Sequence, residues 1–236
     1  MNIRLYHPDS ILENNTSLLS KEHIHYIVNV MRLKRGSNLN FFNKNGEWKS
    51  EIIFLNKDRV EVRFLEKIKE GNNLSNTQLA ICLVKKSPMD TILQKATELG
   101  ISKIIPIVSE RTEVKELNLD RAKKIVIEAV EQSNQLEPPQ IVDVIKLKDF
   151  LQTVDENSKI LFADINSKEN LKIEDLKNVK SFCILIGPEG DFSPAERELI
   201  LQNRAVKPFS LSRNILRSDT AVISAISLVN FINNFH

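Results

Sequence analysis

Ile184-Leu185-Ile186-Gly187-Pro188-Glu189-Gly190-Asp191-Phe192-Ser193-Pro194-Ala195-Glu196 carries an apolar, strand-like run into a glycine turn and straight on into a helix start. Ser193 stands as the N-cap, Pro194 as the first helical residue and Glu196 as the acid that closes a capping box. A strand, a glycine turn and a helix N-terminus leave backbone N–H groups pointing out of a tight loop, a common way to hold a cofactor. Pro208-Phe209-Ser210-Leu211 repeats the pattern: it is strand-like, and Ser212-Arg213-Asn214-Ile215-Leu216-Arg217-Ser218-Asp219-Thr220-Ala221 follows it into a long helix. Two such loops on adjacent strands would form one pocket between them.

Upstream of this pair, strands and helices alternate from Gln78. Leu79 to Val84 reads as a buried strand, and Ser87-Pro88-Met89-Asp90 as the cap of a helix carrying Met89, Ile92, Leu93, Ala96 and Leu99 until Gly100 stops it. Lys103 to Val108, Ile160 to Ala163, Phe182 to Ile186 and Pro208 to Leu211 are further strands. Ala122, Ile125, Val126, Ala129 and Val130 mark a helix that ends before Pro138-Pro139, and Ala221 to Ile232 mark the last one. Such alternation implies α/β architecture, a mostly parallel sheet with helices on both faces. The first seventy or so residues read differently. Asn38 to Phe42, Trp48 to Phe54 and Arg59 to Leu65 are strand-like, with turns at Asn43-Lys44-Asn45-Gly46 and Asn56-Lys57-Asp58, and a helix starts at Ser20. Several short strands suggest a small β-barrel. The polar break Gly71-Asn72-Asn73-Leu74-Ser75-Asn76 places a boundary between a domain of residues 1–72 and one of residues 73–236.

The chain has 236 residues, 42% of them apolar, and a net charge of +2, which permits a nucleic-acid partner only if cations cluster on one face. No run approaches the roughly 18 apolar residues of a membrane span, and Met1-Asn2-Ile3-Arg4 lacks a signal-peptide core. A cytosolic protein is expected, with Cys82 and Cys183 as buried, reduced thiols inside apolar strands. Neither the cysteines nor the four histidines have metal-ligand spacing, so no metal is expected. Gly187 to Gly190 is not followed by Gly-Lys-Ser/Thr, no G-x-G-x-x-G follows the first strand, and no Gly-x-Ser-x-Gly elbow occurs. Hydride transfer and acyl hydrolysis have no support. The residues alone lead to a two-domain α/β protein with a ligand pocket in its C-terminal part.

The pair "LIGPEG" and "LSRNILRSDTA" resembles the two cofactor-loop motifs of the RsmE-type 16S ribosomal RNA uridine-N3 methyltransferases, members of the SPOUT class of trefoil-knotted enzymes. The resemblance runs along the whole chain: Val28 to Gly36 (VNVMRLKRG), Lys85 to Thr112, and Glu128 to Pro139 (EAVEQSNQLEPP) look like three further signatures of that family. It implies an N-terminal PUA-like RNA-binding barrel, a C-terminal SPOUT domain knotted around S-adenosylmethionine, and a homodimer acting on the small ribosomal subunit. Asp191 stands where the family usually has a second glycine and restricts positive φ there; Ser212, Gln135 and Asp219 are further departures.

Carried over position by position, the resemblance implies cofactor contacts at Leu161, Ile186, Gly187, Pro188, Glu189, Gly190, Leu211, Ser212, Ile215, Leu216, Arg217 and Thr220. Uridine N3 must lose a proton before it is methylated, so a base or an anion-stabilising group is wanted. Arg217 is the candidate for stabilising the anion or holding phosphate, and Glu189 and Asp219 are the candidates for the base. Without the resemblance, the two acids would simply serve helix N-termini. Arg4, Arg32, Lys34, Arg35, Lys85, Lys86 and Arg111 would contact RNA phosphates, where the plain reading is a solvated face or loop. Trp48 reads as barrel core. Two competitors stay open: another knotted RNA methyltransferase, acting for instance on a ribose 2′-hydroxyl, and an RNA-binding assembly factor without turnover.

Overall fold

A computed structural model describes residues 3–71, 75–154, 158–177 and 179–233, so the expected boundary at 72/73 lies outside the described residues. The chain divides into two compact units, one of Met1–Asn73 with Val130–Glu137, the other of Leu74–Ala129 with Pro138–His236. The sequence reading did not assign 130–137 to the first unit.

In the first unit, β1 (Arg4–Tyr6) and β2 (Thr16–Leu18) precede helix α1 (Lys21–His25), a π-helical turn (Tyr26–Val30), and β3 (Asn38–Asn43), β4 (Gly46–Leu55) and β5 (Val60–Glu70). Ser20 caps α1 by accepting from the His23 N–H, as its position predicts. Strand order is β1-β3-β4-β5-β2; only β1 and β3 run parallel. Among the described residues the strand pairing runs from β1 to β2 through β3, β4 and β5, the several short strands expected of a small barrel domain. Register shifts at Glu47/Trp48, Lys49/Ser50 and Ile52/Phe54 bend its long β4–β5 hairpin. Gly46, at φ 142°, makes the β3–β4 turn, and a Cβ there would lie 2.3 Å from the Lys69 carbonyl oxygen. Leu5, Ile27, Phe41, Trp48, Ile52, Val62 and Phe64 form the core, so Trp48 is core as expected.

Residues 130–137 belong to this unit for a visible reason. Arg4, 12% exposed at its side chain, pairs with Glu47 at 3.0 Å and donates to the carbonyls of Glu131 at 3.2 Å and Gln135 at 3.0 Å. Its guanidinium also lies 4.3 Å from the Phe42 ring centroid. A cation placed on the terminal carbonyls of a helix meets both their hydrogen-bonding need and the negative end of the helix dipole. Val130 and Leu136 pack with Phe42 and Tyr6.

The second unit continues with β6 (Thr77–Cys82), α2 (Lys86–Glu98), β7 (Lys103–Val108), α3 (Leu119–Ser133, whose end falls in the first unit), β8 (Gln140–Ile141), β9 (Ile145–Lys146), α4 (Leu147–Gln152), β10 (Ser158–Ala163), α5 (Ile173–Leu176), β11 (Ser181–Ile186), α6 (Pro194–Gln202), β12 (Val206–Phe209) and α7 (Ser218–Asn233). The strands form one all-parallel sheet in the order β12-β10-β11-β6-β7-β8, with β9 also on β7. Successive side chains of a strand point to opposite faces. Leu79, Ile81, Phe182, Ile184 and Leu161 therefore pack on one side with Ile92 and Ala96 of α2 and Val222, Ala225 and Val229 of α7. Ala80, Cys82, Cys183, Leu185, Ile160 and Phe162 pack on the other with Phe150 of α4 and Ile200 of α6. Burial on both faces is why these strands read as unbroken apolar runs.

Candidate cofactor cleft

Three loops meet beyond the carboxyl ends of β10, β11 and β12. Ala163, Asp164 and Ile165 come from the first, Ile186 to Glu189 with Asp191 from the second, and Leu211, Ser212, Asn214, Ile215 and Leu216 from the third; Ser218 and Ala221 of α7 close the end. Together they line an open cleft of mixed apolar and polar walls. A parallel sheet collects its ligands at this edge because its β-to-α loops converge there.

The second loop is held tightly. Gly187 is half-buried beside Phe192, and a Cβ on it would come within 3.0 Å of that ring. Asp191 donates its N–H to the Pro188 carbonyl at 3.0 Å and takes φ 58°, the left-handed region. Its own carboxylate accepts from the Phe192 N–H at 2.8 Å, and asparagine and aspartate hold this conformation best among residues with side chains. The expectation that Asp191 would restrict positive φ is thus overturned by a local hydrogen bond. Ser193 accepts from the Glu196 N–H and Glu196 from the Ser193 N–H, the capping box read from the sequence.

The first loop was not foreseen. Asp164, 2% exposed, accepts a forked pair of bonds from Arg197 of α6, at 3.2 Å from Nε and 2.7 Å from Nη2, and another from the Asn166 N–H. The hydrogen bonds to Asp164 hold the Arg197 guanidinium above its already high ordinary value. The signal in the sequence was the end of an apolar strand in Asp164-Ile165-Asn166, at the sheet edge where ligands gather.

Of the residues expected to contact cofactor, Ile186, Gly187, Pro188, Glu189, Leu211, Ser212, Ile215 and Leu216 line the cleft. Leu161 does not: it is fully buried in the sheet, because the strand places it on the face toward α2 and α7, and residues 163–165 line the cleft instead. Gly190 lies behind the lining, with Arg111 Cβ 3.9 Å from the place of a Cβ. Arg217 and Thr220 flank it at the start of α7. The Arg217 side chain is 72% exposed, with Nε 3.8 Å from Asp219 Oδ1, while Asp219 accepts from the Thr220 N–H. Glu189 is exposed.

Among the cations assigned to RNA, Arg4 is committed inside the first unit, and its donors are taken up by Glu47 and helix-end carbonyls. Arg32, Lys34 and Arg35 are exposed on the turn after the π-helix, and among the described residues no ion pair engages them. Lys85 lies 3.7 Å from Glu113, both well exposed. Lys86 is exposed at the first residue of α2. Arg111 donates from Nη1 to the Gly190 carbonyl at 3.0 Å.

Fold and cleft together define a class: a SPOUT-type α/β domain with a cleft between three strand-end loops, accompanied by a PUA-like domain. The family described as RNA methyltransferase domain matches residues 70–230, and that described as RNA methyltransferase PUA domain matches residues 19–65. Ribosomal RNA small subunit methyltransferase E of Rickettsia conorii is 35% identical over 98% of this chain and 96% of its own, and its namesake from Bacillus subtilis is 31% identical over 94% and 92%. A crystal structure of the Neisseria gonorrhoeae protein of that name, bound to S-adenosyl methionine, superposes with a TM-score of 0.90 at 27% identity, covering 98% of both chains. The chain belongs to the RNA methyltransferase family, in its small-subunit methyltransferase E branch. Among the described residues no helix is long and apolar enough to cross a membrane.

Proposed function

We propose that the protein transfers a methyl group from S-adenosylmethionine to N3 of a uridine in 16S ribosomal RNA. The observation that carries this reading is the three-loop cleft, two of whose loops are the segments that resemble the family's cofactor loops. The residues present fit the cofactor. Ile186, Leu211, Ile215 and Leu216 give apolar walls for a base, and Gly187 lets backbone approach where a side chain would collide. When bound, the cofactor supplies an electrophilic methyl group on a sulfonium centre.

The protein's part is to bind, orient and deprotonate. The uridine leaves its strand to reach the cleft, since N3 is engaged in any base-paired stem. Glu189 on the second loop and Asp219 at the start of α7 are the groups that take the N3 proton in this reading. Arg217, exposed beside Asp219, offsets the negative charge of the deprotonated uracil or holds a neighbouring phosphate. Arg32, Lys34 and Arg35 on the 1–72 domain, with Lys85 and Lys86 on the 73–236 domain, meet RNA phosphates, whose contacts position more than they specify. The proposal includes a cytoplasmic homodimer and the knotted chain path that the resemblance implies.

Calorimetric titration with S-adenosylmethionine tests the cleft. Saturable binding is expected, abolished in Gly187→Val, whose side chain must displace Phe192, and retained in Arg217→Ala. Arg217→Ala should lose more than about a hundredfold in methylation rate, the scale of losing one charge-stabilising donor. Primer extension across methylated small subunits then locates the product, because an N3 methyl removes the pairing proton and halts the polymerase. No binding by the intact protein overturns the proposal, and a product methylated on a ribose hydroxyl overturns its N3 assignment.

A further inference from the structure

Arg111 has no acidic partner among the described residues, yet its guanidinium is engaged: Nη1 donates to the Gly190 carbonyl at 3.0 Å. The turn that carries it is fixed from within. Ser109 and Thr112, both buried, bond through the Ser109 N–H to Thr112 Oγ1 at 2.9 Å and through their hydroxyls at 2.8 Å, and the Thr112 N–H returns to the Ser109 carbonyl. The turn is also tied to the far side of the Gly187–Asp191 loop, since the Glu110 N–H donates to Glu196 Oε1 at 2.8 Å while Glu196 Oε2 accepts from the Ser193 N–H.

The peptide joining Gly190 to Asp191 is consequently clamped at both ends. Its carbonyl is held by Arg111, and its N–H points to the Pro188 carbonyl at 3.0 Å. This peptide sets the Asp191 φ of 58°, a conformation that side-chain-bearing residues adopt rarely, and the residues on either side of Gly190, Glu189 and Asp191, line the cleft. We propose that Arg111 is a positioning residue for the cofactor loop, presetting the Gly190–Asp191 peptide, and that this is its main service rather than contact with RNA phosphate. The inference rests on the reading of the cleft as the S-adenosylmethionine site.

The two roles differ in what they respond to. A phosphate contact is electrostatic, and losing one flattens the salt dependence of RNA binding by about one unit of slope. A bond that presets a loop acts on the cofactor and leaves that slope alone. The test uses the full chain and its Arg111→Ala and Arg111→Lys variants, with S-adenosylmethionine titrated calorimetrically, 16S RNA binding followed over a salt series, and thermal unfolding measured without ligand. Arg111→Ala should weaken cofactor affinity about tenfold, the order of one hydrogen bond of about 1.4 kcal/mol, with an unchanged salt slope and a single cooperative unfolding transition that shows the chain still folded. Arg111→Lys, which keeps a donor able to reach a carbonyl, should recover part of the loss. Unchanged cofactor affinity with a flatter salt slope in Arg111→Ala would overturn the inference in favour of phosphate contact. Failure of the wild-type chain to bind cofactor would overturn the functional reading itself, and this role with it.

Discussion

Asp191 shows how one side chain decides whether a turn is tolerable. In the left-handed region a residue other than glycine costs roughly 1 kcal/mol, and a net intramolecular hydrogen bond returns about as much. Asp191→Ala keeps the strain and loses the bond to the Phe192 N–H, so it should destabilise the protein by about 1–2 kcal/mol. Asp191→Gly loses both and should lie within about 0.5 kcal/mol of wild type. Urea midpoints at constant slope measure the pair; equal stability of the two variants would mean that the carboxylate holds nothing. Single positions were legible where local chemistry determines them: Ser193 and Glu196 followed from spacing alone. Arg4 and Leu161 were not, because what occupies each is distant in sequence. Arg4 meets carbonyls of Glu131 and Gln135, and the buried face that claims Leu161 is made by α2 and α7.

Elements were most legible where periodicity and caps agreed. Helix α6 begins at Pro194 behind a complete capping box, and Ser193→Ala should cost about 1 kcal/mol by leaving a first-turn N–H without its acceptor. Glu196→Ala should cost more, since the Glu110 N–H loses its acceptor as well; thermal unfolding of both variants compares them. Helix α2 departs from its reading. It starts at Lys86 with Lys85 at the cap position and no side-chain bond there, so Ser87 is inside the first turn, where the following proline is tolerated because first-turn N–H groups need no helical partner. The π-helical turn escaped notice because Ile24, Ile27, Val28 and Met31 satisfy ordinary helical spacing equally well. Strands β1 and β2, three residues each, are too short to display a period of two.

For the molecule as a whole, strand–helix alternation revealed a parallel sheet, but strand order lay beyond it, since sequence neighbours need not be sheet neighbours. That order puts β11 and β6 in the interior, and with them Cys183 and Cys82. Burial pushes both thiols up to about 12, and the thiolate is the reactive form. A disulfide reagent at pH 8 should therefore label neither in the native protein and both in denaturant. Prompt labelling of the folded chain would contradict the interior placement of these strands.

The pairing of Thr77 with Phe182 also imposes an order of events on biosynthesis. Strand β6 leaves the ribosome long before its neighbour β11 exists, and domains fold as units while they are made. The five strands of the first unit are complete by Glu70, yet Arg4 waits for Gln135 to supply its last acceptor. The larger sheet waits for residue 186, and its edge strand β12 for residue 209. Such non-local pairing folds slowly, so a nascent chain carries the free edge of β6 unpaired from its own synthesis until residue 186 is made, the interval in which it most needs a chaperone.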